Sequence, residues 1–267
     1  MMRRVFAVRQ PHRVVSWLLP GIFFLIWLAV CETGTAPPYL LPHPKEVLST
    51  ASSYIFGDVG KGAYAGRFLE DFAASTTRVL LGFGLAVVVG IPLGLLSGRL
   101  VLVNRLLNTT INALRAVPGI SWLPLAMVWF GIGIKTTVFL VALAAFFPIY
   151  LNTEAGARQV NPTLLQAGAM MGVRRLRGTF AILLPAAMPN IITGLRLGMG
   201  ISWAYLVLGE LTGVPNGLGA LIMDARMLGR IDIIVVGIIL IALIGRLCDL
   251  GLHQVLRLSF KSARRLA

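Results

Sequence analysis

Residues 14–31, 79–98, 116–134 and 136–153 contain no Asp, Glu, Lys or Arg. No other feature constrains the fold as much. Each run is close to the roughly 20 residues a helix needs to cross the hydrocarbon of a bilayer. In lipid every backbone donor and acceptor must be satisfied internally, which leaves helices and closed barrels. Only 13% of the 267 residues are charged and 57% are apolar, whereas a soluble domain carries about a quarter charged residues. A large soluble core has no need for uninterrupted runs of this length. The fold expected is an all-α polytopic integral membrane protein of about six transmembrane helices.

The net charge of +14 raises nucleic acid as a partner, but the distribution of the bases excludes it. Arg3, Arg4, Arg9 and Arg13 precede the first run, and Arg99, Arg105 and Arg115 follow the second. Arg158, Arg174, Arg175 and Arg177 follow the fourth, and Arg257, Lys261, Arg264 and Arg265 end the chain. The intervening connections hold Lys45, Lys61, Arg67, Lys135, Arg226 and Arg230. Fifteen bases on alternate connections against six on the others mark the fifteen as cytoplasmic. A nucleic-acid binder would gather its bases on one element. Both termini, including 1–13, are thus expected in the cytoplasm of a multi-pass membrane protein. Leu28-Ala29-Val30-Cys31 superficially resembles a cleavage box, but Val30 stands where a small residue is required and the apolar run is long for a signal core. Cys31 and Cys248, in or beside apolar runs, read as packed thiols rather than a disulfide.

The chain reads as one transmembrane domain, 1–267, with its core at about 72–254. Helix 14–31 is followed by a long segment in which Pro37-Pro38 and Leu41-Pro42-His43-Pro44 favour extended backbone. Short amphipathic helices are expected at 45–53 and 64–74. The second span carries Gly82, Ala86, Gly90, Gly94 and Gly98, a small residue every fourth position. On a helix this makes one smooth stripe for close approach of a neighbour, and packing rather than hydrophobic burial drives helix association in lipid. Gly194, Gly198 and Ser202 repeat the device in a fifth span, 191–209. Pro92 implies a kink. Residues 211–227 are too short and broken to span, and 231–252 is the sixth helix.

Gly131-Ile132-Gly133-Ile134-Lys135-Thr136-Thr137 superficially resembles a phosphate loop. Ile134 separates the glycine from the lysine and no strand precedes it, so it reads as a tight turn. No nucleotide site is visible elsewhere. The three histidines are scattered, giving no metal cluster, and no nucleophile–base pair suggests an enzyme. The polar stretch 154–189 between apolar runs is the other unusual feature. Asn161-Pro162-Thr163 is a helix start, Gly172 suits a left-handed helix end, and a second helix begins near Phe180. Pro185 and Pro189 are expected to bend the chain as it re-enters the membrane.

Within that stretch, Gln166-Ala167-Gly168, three residues, Gly172, nine residues, then Ile182-Leu183-Leu184-Pro185 resembles the cytoplasmic coupling motif of ATP-driven ABC importer permeases. The usual pattern opens Glu-Ala-Ala, so Gln166 and Gly168 depart from it. Arg115-Ala116-Val117-Pro118-Gly119-Ile120-Ser121-Trp122-Leu123-Pro124-Leu125, Trp129-Phe130-Gly131-Ile132-Gly133 and Gly194-Leu195-Arg196-Leu197-Gly198 extend the likeness toward the nitrate, sulfonate, taurine and bicarbonate branch. The resemblance implies a type I importer permease (MetI-like) fold and a permease homodimer in the lipid bilayer. It implies a dimer of separate ATP-binding subunits inside and a secreted substrate-binding protein outside. The chain then needs no cofactor, since ATP sits on the partner. Gln166, Ala167, Gly168, Met171, Gly172, Val173, Arg174, Arg175, Ile182, Leu184 and Pro185 would couple to that ATPase. The rival reading is a secondary transporter driven by an ion gradient, but neither inverted repeats nor paired intramembrane charges are evident.

Arg196, Ser202 and Glu210 are the candidates for the pathway or for intramembrane structural roles. A carboxylate at membrane depth is costly and so serves either function or a buried pair. Arg78, Arg196 and Arg246 are the possible partners of Glu210. Arg196 is expected to snorkel to the boundary or to attract an anion. Arg246 and Asp249, three apart, most simply neutralise each other.

Overall fold

The structure, a computed structural model, describes residues 13–37 and 39–259, without the side chains of 13–16, 175, 176 and 259. Arg3, Arg4, Arg9, Pro38, Lys261, Arg264 and Arg265 lie outside the described residues, as does most of the expected cytoplasmic stretch 1–13. Among the described residues the elements are helices and turns, with no strand.

Helix α1 (Arg13–Glu32) leads through a turn-rich segment to α2 (Pro44–Phe56). Pro44 occupies the first turn of α2, where its missing N–H costs nothing, and the His43 ring accepts from the Lys45 N–H. The separate helix expected at 64–74 does not form. Gly66 adopts φ +71°, and α3 then runs unbroken from Phe68 to Arg99. Asp71, Ser75 and Arg78 are polar but buried against partners in the protein, so nothing forces a break between an interfacial helix and a span. At about 1.5 Å per residue α3 exceeds the ~30 Å of hydrocarbon, and its polar first turns belong to the protein interior.

The third span also differs from expectation. The apolar run 116–134 is not one helix. It divides into the end of α4 (Val101–Ala116), a 3₁₀ turn Gly119–Trp122 and α5 (Leu123–Phe130), the two helical arms meeting at 94°. Pro118 drives the break. It excludes Val117 from the helical region, and Val117 is extended at φ −74°, ψ 121°. Gly131 and Gly133, at φ +74° and +145°, then turn the chain into α6 (Ile134–Gln159).

After α6 come α7 (Pro162–Met170), α8 (Arg175–Gly178) and, through a π-helical turn Thr179–Leu183, α9 (Leu184–Glu210). Pro185 and Pro189 do not separate α9 from what precedes it: Thr179–Glu210 is one continuous helix of 32 residues. Pro185 sits in the first turn of α9, and the wider π register, in which the Leu184 N–H bonds the Thr179 carbonyl, accommodates the proline ring. Then follow α10 (Leu218–Met227) and α11 (Ile231–Ser259), which is longer than the sixth helix expected.

Among the described residues four helices are long and apolar enough to cross a membrane: Phe68–Arg99, Ile134–Gln159, Thr179–Glu210 and Ile231–Leu258. The bent pair α4–α5 makes a fifth if it counts as one span, and α1 contributes a shorter apolar helix, Trp17–Glu32. Helix α6 is clamped between α3 and α9 by small residues. A Cβ added at Gly94 would stand 2.7 Å from Thr153 Cβ, and one at Gly98 would stand 2.7 Å from the Glu154 carbonyl oxygen. Gly82 faces Val141 and Gly90 faces Ile149 along the same stripe. From the other side, Gly194 lies against Asn152 and Gly198 against Ile149. Gly84, off the stripe, has nothing within 4 Å. Backbone proximity at these glycines lets long helices share dispersion contact along their whole length.

Candidate functional site

Three places hold the residues that sequence reasoning singled out, or ought to have. The first is the turn after α7. Asn161 caps α7 by accepting from the Thr163 N–H at 2.9 Å. At its other end, Gly172 N–H bonds the Ala169 carbonyl and Val173 N–H bonds the Gly168 carbonyl, both at 3.0 Å. This is the paired-bond helix end that needs a left-handed residue, and Gly172 supplies it at φ +78°. Gly168 is buried because Ile182 of the following helix reaches over it to the place a Cβ would fill. The departure from alanine at 168 therefore lets the two arms of the elbow close on each other. Gln166, Ala167, Met171, Gly172, Arg174 and Pro185 are exposed, and Val173, Ile182 and Leu184 half-buried. The side chain of Arg175 lies outside the described residues. Met170 and Met171 are 89% and 77% exposed, and Leu164 and Phe180 are also open. This is an apolar knob left uncovered among the described residues.

The second is a buried polar knot where α3, α9 and the turn before α10 meet. Glu210 is fully buried. It accepts from Arg78 Nη1 at 2.5 Å, from Ser75 Oγ at 2.9 Å and from the Gly219 N–H at 2.8 Å. Arg78 also donates to the Asn216 carbonyl and to Asn216 Oδ1, each at 2.7 Å, leaving Nε without a partner. Asp71 accepts from the Gly217 N–H at 2.8 Å and from Tyr54 Oη at 2.9 Å, which brings α2 into the knot. Burial, and then the neighbouring Asp71 charge, push the Tyr54 phenol well above its ordinary range, so it stays a donor. Gly217 at φ +126° permits the approach: a Cβ there would stand 2.5 Å from Glu210 Oε1. Of the three arginines considered as partners for Glu210, the structure selects Arg78.

The remaining candidates are also committed to packing. Arg196 has a partner within the protein. It forms a two-pronged pair with Asp249 of α11, both contacts at 3.1 Å. Arg246 reaches the same carboxylate at 3.2 Å, so the expected Arg246–Asp249 pair exists but shares its acid. Ser202 is buried and donates to the Gly198 carbonyl at 2.7 Å.

The third place was missed by sequence reasoning. A cavity of about 300 Å³ lies between the α4–α5 bend, the middle of α6 and α9. Leu143, Phe147 and Leu151 line it from α6, and Ile201 and Tyr205 from α9. Arg115, Gly119 and Trp122 line it from the bend. Arg196, Ser202 and Glu210 do not line it. Arg115, counted among the bases of a cytoplasmic connection, is exposed at the end of α4 and shares this lining with Leu143, Phe147 and Leu151 of α6. The Tyr205 ring lies so close to Gly119 that any side chain there would overlap it. The signal was present in the Arg115–Trp122 motif, but a run assumed to be one straight helix concealed the bend.

The fold carrying these features has solved relatives. One chain of the inward-facing MetNI methionine ABC transporter superposes with a TM-score of 0.61 at 18% identity, over 71% of this chain and 94% of that one. Residues 90–257 match the family model for the binding-protein-dependent transport system inner membrane component. The chain belongs to that family. This permease is 34% identical to the taurine transport system permease of Escherichia coli, over 89% of the chain and 85% of the relative. It is 33% identical to the nitrate import permease of Synechocystis, over 91% of the chain and 87% of the relative. The resemblance read from the coupling motif and from residues 115–125 is thus a family membership, and the protein is a multi-pass ABC importer permease.

Proposed function

We propose that this permease forms, as a homodimer, the translocation path for a small anionic solute such as taurine, another sulfonate, nitrate or bicarbonate. A secreted binding protein delivers the solute, and a dimer of ATP-binding subunits grips 154–189 on the cytoplasmic side. Both termini lie on that side of a bacterial inner membrane. The permease carries out no chemistry and binds no ATP. ATP closure of the partner subunits moves the α7 elbow, and the continuous helix from Thr179 to Glu210 carries that displacement into the membrane. The taurine and nitrate relatives support the solute class.

One observation carries the coupling role. Met170 and Met171 are 89% and 77% exposed on a capped helix that folds back against the arm carrying Ile182. Adaptable apolar side chains left open on a rigid turn fit a protein partner. Tagged permease is expected to co-purify with an ATPase in equal numbers. Substituting Gly172→Val puts a β-branched residue at φ +78°, a strain of about 1–2 kcal/mol. It should strip the ATPase from the complex while the permease still inserts. Full retention of the ATPase by that variant would refute the assignment, and uptake in vesicles emptied of nucleotide would favour the ion-gradient reading instead.

A further inference from the structure

The cavity at the α4–α5 bend has one charged residue in its lining, Arg115, and Arg115 has no carboxylate partner among the described residues. The other arginines placed along the spans differ: Arg78 faces Glu210, and Arg196 and Arg246 face Asp249. The wall also contains the Tyr205 hydroxyl, which makes no hydrogen bond among the described residues, and the enclosed Trp122 indole N–H, which has none either. The rest is apolar or aromatic, with Val117, Leu143, Phe147 and Ile201. Arg115 is exposed, with no acid opposite and an apolar and aromatic wall beside it, and a cation so placed makes a site attractive to anions and repellent to cations. A volume of about 300 Å³ exceeds what a bare inorganic oxyanion fills, and suits a small molecule with an apolar part.

We propose that this cavity is a transient subsite for a small organic oxyanion, its anionic head held by Arg115 and its short apolar tail laid against Phe147, Trp122 and Tyr205. This rests on the permease reading and adds to it the residues that set charge preference inside the membrane. Gly119 is part of the device: with no side chain, it lets the Tyr205 ring form one wall. The departing solute needs no competing base to release it, because the site is wide and single-charged, so binding is weak enough for passage.

The test uses membrane vesicles containing the complete transporter, with Cys31→Ser and Cys248→Ser removing the native thiols. Leu143→Cys and, separately, Val117→Cys place a reporter in the lining. Labelling by anionic sulfonatoethyl methanethiosulfonate is compared with labelling by its cationic trimethylammonioethyl counterpart. The anionic reagent should react faster by about tenfold or more after correction for intrinsic reactivity. Arg115→Gln should abolish that preference and Arg115→Lys should keep most of it. Butanesulfonate should protect the thiol at lower concentration than nitrate does. No preference, a preference indifferent to Arg115→Gln, or no labelling at either position would overturn the subsite. Equal protection by nitrate would overturn its organic character. None of these readouts requires ATP, so a failure here is distinct from failure to find an ATPase partner.

Discussion

Arg78 and Arg115 sit on neighbouring helices of one membrane protein, and their surroundings are opposite. Arg78 is 2% exposed and spends two of its three nitrogens on Glu210 and Asn216. Arg115 lines an open cavity and faces no acid among the described residues. The first arginine ties α3 to α9 and to the turn before α10. The second leaves its charge available. A charge beside a span is therefore not in itself a sign of a transport path; on the proposal above, a geometrically committed counter-charge separates Arg78, a structural tie, from Arg115.

The sharpest way to break this comparison is to remove each cation. Arg78→Met leaves Glu210 buried without its partner and should cost about 3–5 kcal/mol, visible as a collapsed thermal unfolding midpoint in detergent. Arg115→Gln should change stability by no more than about 0.5 kcal/mol. Similar losses in both variants would show that Arg115 is a structural tie after all. A middle-sized effect tests whether rigidity near Arg78 comes from charge or from packing. Gly94→Val places a side chain where Thr153 Cβ is 2.7 Å from an ideal Cβ, and overpacking of this kind costs about 1–3 kcal/mol. A loss as large as that of Arg78→Met would assign the firmness of the core to the glycine seam. The smallest effect belongs to the intermediate case. Arg196 is paired but 41% exposed at its side chain, so Asp249→Asn should lower stability by at most about 1 kcal/mol. A cost near that of Arg78→Met would place this pair in the buried class instead.

Much of the membrane core was legible because it depends on local periodicity. Small residues recur at every fourth position of α3 from Gly82 to Gly98, and a helix turns that spacing into one face whatever its neighbour. The elbow at Gly172 was equally readable, since a glycine just past the end of an apolar helix run is a common solution for a helix end. The third span was misread because run length counts apolar residues and not their backbone. Pro118 outweighed nineteen uncharged residues from 116 to 134. The merging of 64–74 into α3 was invisible for the converse reason. Asp71, Ser75 and Arg78 look like an aqueous boundary until their partners at Gly217, Leu218 and Glu210 are known.

Hydrophobic run length, small-residue spacing and turn chemistry came from the sequence alone, because each is settled within a few turns of one helix. Only the folded arrangement decided which carboxylate meets which arginine, and where space remains between helices. Arg78 and Glu210 are 132 residues apart, and Arg196 and Asp249 are 53 apart. A periodic pattern says which face a residue occupies and nothing about what stands opposite. Pairing across such separations follows from how α3, α6, α9 and α11 cross, and the cavity beside Arg115 is the volume those crossings leave unfilled.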